Sequence, residues 1–144
     1  MEEKTKREKR IELADKKQYF EVEENIFKRK IKVFLNYTPE DYDKWCKKNG
    51  VIDERGWSKE FMASSFEFDH EDRATQWGIF IKHFNWSIGS QGSLIHEIVH
   101  TIIKIWSVNN IPYNKDTQEF LAHSIAGLYE DISAKILKVK KIQR

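Results

Sequence analysis

Between His83 and Lys104 the only ionisable side chains are His96, Glu97 and His100, set in the run Leu94-Ile95-His96-Glu97-Ile98-Val99-His100-Thr101-Ile102. On a helix, positions i and i+4 lie one above the other on the same face. Both imidazoles therefore reach one metal ion from one side. Glu97 is rotated by about 100° from His96, which sets its carboxylate beside such an ion and not on it. There it is positioned to take a proton from a metal-bound water. The flanking Leu94, Ile95, Ile98, Val99, Ile102 and Ile103 are apolar. Apolar walls keep water and competing charges away from a metal site; they equally suit a plain core helix with two incidental histidines. The helix is expected over residues 90 to 106 or 107, with Ser90 or Ser93 as its cap.

Two imidazoles hold zinc poorly, and a catalytic zinc site has three protein ligands with an open position for water. Glu119 is the expected third ligand. Eighteen residues separate it from His100, and the loop around Pro112 lets the chain turn back so that a following helix delivers it. His123 is the rival, about 6 Å further along that helix. It either ligates, or orients a ligand and hydrogen-bonds an oxyanion in a catalytic role. Glu130 and Asp116 are further alternatives, and Tyr113, Tyr129 and His83 are other possible oxyanion donors.

At 144 residues the whole chain reads as one ordinary domain. Residues 1–30 are dominated by Lys, Arg and Glu and read as a solvated, charged helix or arm; residues 31–144 read as the domain. Residues 31–37 are β-branched and aromatic, a first strand. Thr38-Pro39-Glu40-Asp41 starts a short helix that runs to Lys48 and stops at Asn49-Gly50, with Tyr42 and Trp45 facing the core. Residues 64–69 alternate and read as a second strand, residues 76–84 read as a third, and with a polar turn at 70–73 between them the two are close enough to pair as a hairpin. A last helix, capped by Asp116 or Thr117, runs to about Lys138 with apolar residues at helical spacing, among them Leu121, Ile125, Leu128, Ile132 and Ile136. The fold class is α+β: a small antiparallel or mixed sheet of about three strands, packed on the metal helix and the helix after it.

A net charge of +2 is too small to argue for nucleic acid or a membrane surface. Cys46 is the only cysteine, which excludes a disulfide framework and a cysteine-based zinc site and fits a reducing compartment. No secretory signal and no membrane-length apolar stretch is visible, so a cytoplasmic location is expected.

The pattern His96-Glu97-x-x-His100, the eighteen-residue gap and Glu119 on a following helix resemble a zincin metallopeptidase, specifically the glutamate-zincin branch. The resemblance covers roughly residues 76–136. It is similar to small single-domain peptidases of phages and mobile elements, whose second motif is matched here by Glu119-Phe120-Leu121-Ala122-His123. It departs where many glutamate-zincins place an acidic residue one turn after the ligand glutamate; this chain has His123 there. It also lacks the large C-terminal subdomain that walls the cleft of bigger members. The resemblance implies a minimal zincin-like fold, Zn2+ held by His96, His100 and Glu119, Glu97 as general base, and a peptide or protein substrate pairing with the strand from Trp77 to Phe84. A non-catalytic, zinc-stabilised structural or assembly module is the alternative that the same residues leave open.

Overall fold

The computed structural model describes residues 5–7, 16–51, 63–70 and 73–142. Four strands and three helices follow one another as β1 (Gln18–Glu23), β2 (Lys30–Leu35), α1 (Pro39–Asn49), β3 (Ala63–His70), β4 (Arg73–Ile81), α2 (Ile88–Val108) and α3 (Gln118–Ile142). The strands form one sheet in the order β1-β2-β4-β3. β2 and β4 run parallel, from Ile31 opposite Trp77 to Leu35 opposite Ile81. The two outer pairings are antiparallel. The fold is α+β with a mixed sheet, and no helix among the described residues is long and apolar enough to cross a membrane.

The sheet has one strand more than the sequence suggested. Residues 18–23, read above as part of a solvated arm, pair along their whole length with β2. Phe20 and Val22 point inward and are buried, while Glu21 and Glu23 alternate with them. That is the period-2 pattern of a half-buried strand, masked by the surrounding Lys and Glu. The expectation for residues 1–4 and 8–15 lies outside the described residues. Glu24 closes the β1–β2 connection. Its buried carboxylate accepts hydrogen bonds from the backbone N–H of Ile26 (3.0 Å), Phe27 (2.5 Å) and Arg29 (3.2 Å). Glu24→Ala leaves these donors without their acceptor and should cost about 1–3 kcal/mol. Urea unfolding is expected to show it as a lower midpoint at unchanged slope.

Both faces of the sheet are covered. Ile31, Val33 and Leu35 of β2 and Trp77, Ile79 and Ile81 of β4 face a core completed by Leu94, Ile98, Ile102, Leu128, Ile132 and Ile136 from α2 and α3. Phe34 and Phe80, adjacent in register, point the other way and meet Tyr42 and Cys46 of α1. A strand buried on both sides reads as a near-continuous apolar run; in β2 it is interrupted by Lys32, whose ammonium pairs with Glu21 of β1.

Local chemistry sets the helix ends. Thr38 accepts from Asp41 N–H at 3.1 Å, and Asp41 accepts from Thr38 N–H at 3.2 Å, a reciprocal capping box with Pro39 behind it. Gly50, at φ +66°, ends α1 in the left-handed region. Asn36, also left-handed at φ +63°, terminates β2. Its amide accepts from Phe84 N–H at 2.6 Å and donates to the Phe84 carbonyl at 3.1 Å. This pins the chain as it leaves β4 and aims α2. The cap of α2 is Ser87, which accepts from Ser90 N–H at 3.1 Å. The sequence points instead to Ser90 or Ser93 as the cap. Asn85 moves the start forward by accepting from Ser87 N–H at 3.0 Å, and Ser90 then lies inside the first turn.

Candidate metal and base site on helix α2

One side of α2 is core: Leu94, Ile98, Ile102 and Ile105 are fully buried. At about 100° per residue, His96 and His100 fall on the reverse side and Glu97 falls on the flank between. The structure follows this. The His96 side chain is 66% exposed and the Glu97 side chain 8%. The two imidazoles meet with Nε2 atoms 3.0 Å apart, and Glu97 Oε1 lies 3.9 Å from His96 Nε2. The site thus joins two solvent-facing imidazoles to one sequestered carboxylate.

Burial pushes the Glu97 carboxyl above the ordinary carboxylate range; the charges of His96, His100 and Lys104 and a hydrogen bond from the Ser65 side chain pull against it. A carboxyl placed this way holds a proton more readily than a surface glutamate, which suits a base working near neutrality.

Two nitrogens at zinc bonding distance and tetrahedral angle are separated by about 3.3 Å; the separation here is 3.0 Å. The same approach also allows an N–H···N hydrogen bond between the rings.

Glu119 and His123 do not join this pair. On α3 the inward stripe is Leu121, Ile125, Leu128, Ile132 and Ile136, and Glu119 and His123 lie on the opposite side of the helix. Their side chains are 83% and 77% exposed, and they face each other at 3.4 Å. Glu130 and Asp116 are exposed as well. Among the described residues no group of three or more His, Cys, Asp or Glu that could hold a metal ion is formed.

The other expected participants are also accounted for. Tyr113 donates its hydroxyl to the Ile103 carbonyl at 3.0 Å, and Tyr129 donates to Gln91 Oε1 at 3.2 Å. His83 is exposed just beyond the end of β4. The strand from Trp77 was expected to border the cleft, but β4 has β2 on one side and β3 on the other. A peptide cannot pair with a strand whose two edges are filled. The outer strand on that side is β3.

Two site residues escaped the sequence reading. Lys104 Nζ donates to both the carbonyl and the hydroxyl oxygen of Ser65, at 3.1 Å each. Lys104 stands four residues after His100 and seven after Glu97, so helical spacing places it on their side of α2. Nothing local links it to Ser65, 39 residues earlier.

Comparison of the chain with protein-family models, with curated proteins and with solved structures gives no match.

Proposed function

We propose that the chain is a metal-dependent hydrolase acting on peptide bonds, with His96 and His100 as metal donors and Glu97 as general base. The observation that carries this is the convergence of two exposed imidazoles, 3.0 Å apart, beside a buried carboxylate 3.9 Å from one of them. A divalent ion such as Zn2+, when bound, supplies Lewis acidity and an acidified water. Glu97 accepts a proton on its carboxylate and returns it to the leaving amine. Its apolar flank keeps bulk water from competing for that proton. The outer strand β3 offers main-chain donors and acceptors to an extended substrate, in the manner of strand addition. This arrangement, an antiparallel outer strand alongside the helix that bears the imidazoles, supports a minimal zincin-like reading of the α+β fold.

A second reading has one observation in its favour. Glu119 faces solvent, leaving two protein donors among the described residues. Two donors fall short of the three of a catalytic zinc site, which favours a non-catalytic structural or assembly module; a closed structural zinc site would need four.

The first test is metal binding. One equivalent of zinc per chain is expected by competition against a chromogenic chelator. His96→Ala and His100→Ala should each weaken it by at least about a hundredfold, since even the groups behind a ligand are worth 10–100-fold. Unchanged affinity in both variants would remove the metal site. Glu119→Ala belongs in the same series: its exposed position predicts a change of no more than about threefold, and a much larger loss would add Glu119 to the donor set.

A further inference from the structure

Lys104 is a half-buried cation held by neutral oxygens. Its Nζ donates to the carbonyl and the hydroxyl oxygen of Ser65, at 3.1 Å each. Among the described residues no carboxylate stands within ion-pairing distance of it. The more deeply buried Lys32 shows the ordinary solution: its ammonium pairs with Glu21. Withdrawing an ammonium from water costs free energy, and neutral acceptors offset less of that cost than a carboxylate does. An ammonium has three donors. Ser65 takes two of them, which leaves the third for an anion that the fold itself does not supply.

The place of this cation relates it to the imidazole pair. Lys104 follows His100 by one helical turn, about 6 Å along the axis, on the side of α2 that carries both histidines. Its bonds to Ser65 hold the ammonium against the outer strand β3. An extended peptide advances about 3.3 Å per residue, so one helical turn spans about two of its residues. We propose that Lys104 is a specificity-determining residue: it receives a substrate carboxylate, either a peptide's free C-terminus or an aspartate or glutamate side chain, within about two residues of the bond that is cleaved. The proposal rests on the hydrolase reading above. Anion binding is separable from that reading, because an ammonium binds a carboxylate whether or not a neighbouring bond is broken.

The test has two arms, both on the full chain. In the first, metal-free protein labelled with 15N-lysine is titrated with N-acetyl-alanyl-alanine as the free acid, with the same dipeptide as its amide, and with N-acetyl-aspartyl-alanine amide. The Lys104 ammonium signal should shift with one or both carboxylates and stay in place with the neutral amide. A shift with the free acid alone assigns the C-terminus, and a shift with the aspartyl peptide alone assigns the side chain. No shift with either, or an equal shift in every lysine, would overturn the proposal. The second arm uses zinc-loaded protein, a neutral amidated peptide that it cleaves, and counterparts of that peptide carrying each carboxylate. The preferred carboxylate should raise kcat/KM about tenfold or more over the neutral peptide, the worth of a hydrogen bond to a charged group. Lys104→Met should erase the preference, Lys104→Arg should keep it, and Lys104→Glu should turn it toward a peptide with lysine in that place. The preference compares substrates on one protein, so a general loss of folded enzyme cancels. A preference that survives Lys104→Met would overturn the proposal. Should no peptide be cleaved, the hydrolase reading falls, while the ammonium titration still decides the carboxylate site.

Discussion

Glu97→Gln is expected to lower peptide hydrolysis by about 10²–10⁴-fold, the range that a positioned acid–base group contributes, while one zinc still binds per chain. Glutamine keeps the size of the side chain and its place on the flank of α2 but cannot take up a proton. Peptide cleavage and zinc stoichiometry, measured on the same sample, separate loss of the base from loss of the metal. Activity that survives intact would eliminate the enzyme reading and leave the zinc-stabilised module.

The same substitution should act on stability in the opposite sense. Burial raises the Glu97 carboxyl above its ordinary value, so the folded protein favours the protonated form. The resulting penalty is absent below the ordinary carboxylate range and grows as pH rises through the raised value. Metal-free Glu97→Gln should accordingly melt above the parent at pH 7, and the gap should close on acidification.

The second large effect lies on the other side of the sheet. Phe34→Ala should destabilise the domain by about 3–5 kcal/mol, a large part of the 5–15 kcal/mol typical of whole proteins. Phe34 is fully buried on β2. Its ring meets Tyr19 at 5.0 Å, Trp45 at 4.9 Å, and Tyr37 and Tyr42 at 5.2 Å. The contacts with Tyr37, Tyr42 and Trp45 are edge-on and that with Tyr19 is tilted; edge-on aromatic contacts add about 0.5–1.5 kcal/mol beyond area burial. Denaturant unfolding followed by tryptophan fluorescence and by far-UV circular dichroism should show a single, lowered midpoint. Two separated transitions would mean that the face carrying α1 and the face carrying α2 do not unfold together.

What the sequence made legible was local. Thr38, Pro39 and Asp41 announce the start of α1 because all the atoms of a capping box lie within one turn. The pairing of His96 with His100 follows from the spacing of a single helix, as does the flank position of Glu97. β1 was hidden because Glu21 and Glu23 make Phe20 and Val22 look like isolated apolar residues in a charged arm. Strand order is a non-local property, so the hairpin of β3 with β4 was readable but the interior position of β4 was not. The orientation of Glu119 was available in principle. Leu121, Ile125, Leu128 and Ile132 define the inward stripe of α3, and Glu119 stands on the other side of it. The turn at Pro112 brings Glu119 close along the chain, but rotation about the helix axis carries it to solvent. Ser65 and Lys104 come from separate elements, and only the folded chain joins them.

The parallel pairing at the centre of the sheet bears on how the site is assembled. Ile31 and Trp77 are register partners although 46 positions apart in the chain, so that pairing needs the closure of a long intervening loop. The imidazole pair belongs to one helix turn and can form as soon as α2 winds. Glu97 becomes a sequestered carboxylate only once α2 has docked on a sheet that this long-range closure completes. On the function proposed above, a nascent chain would therefore bring its two imidazoles together before it sequestered its carboxylate, and a half-folded molecule would still lack the base.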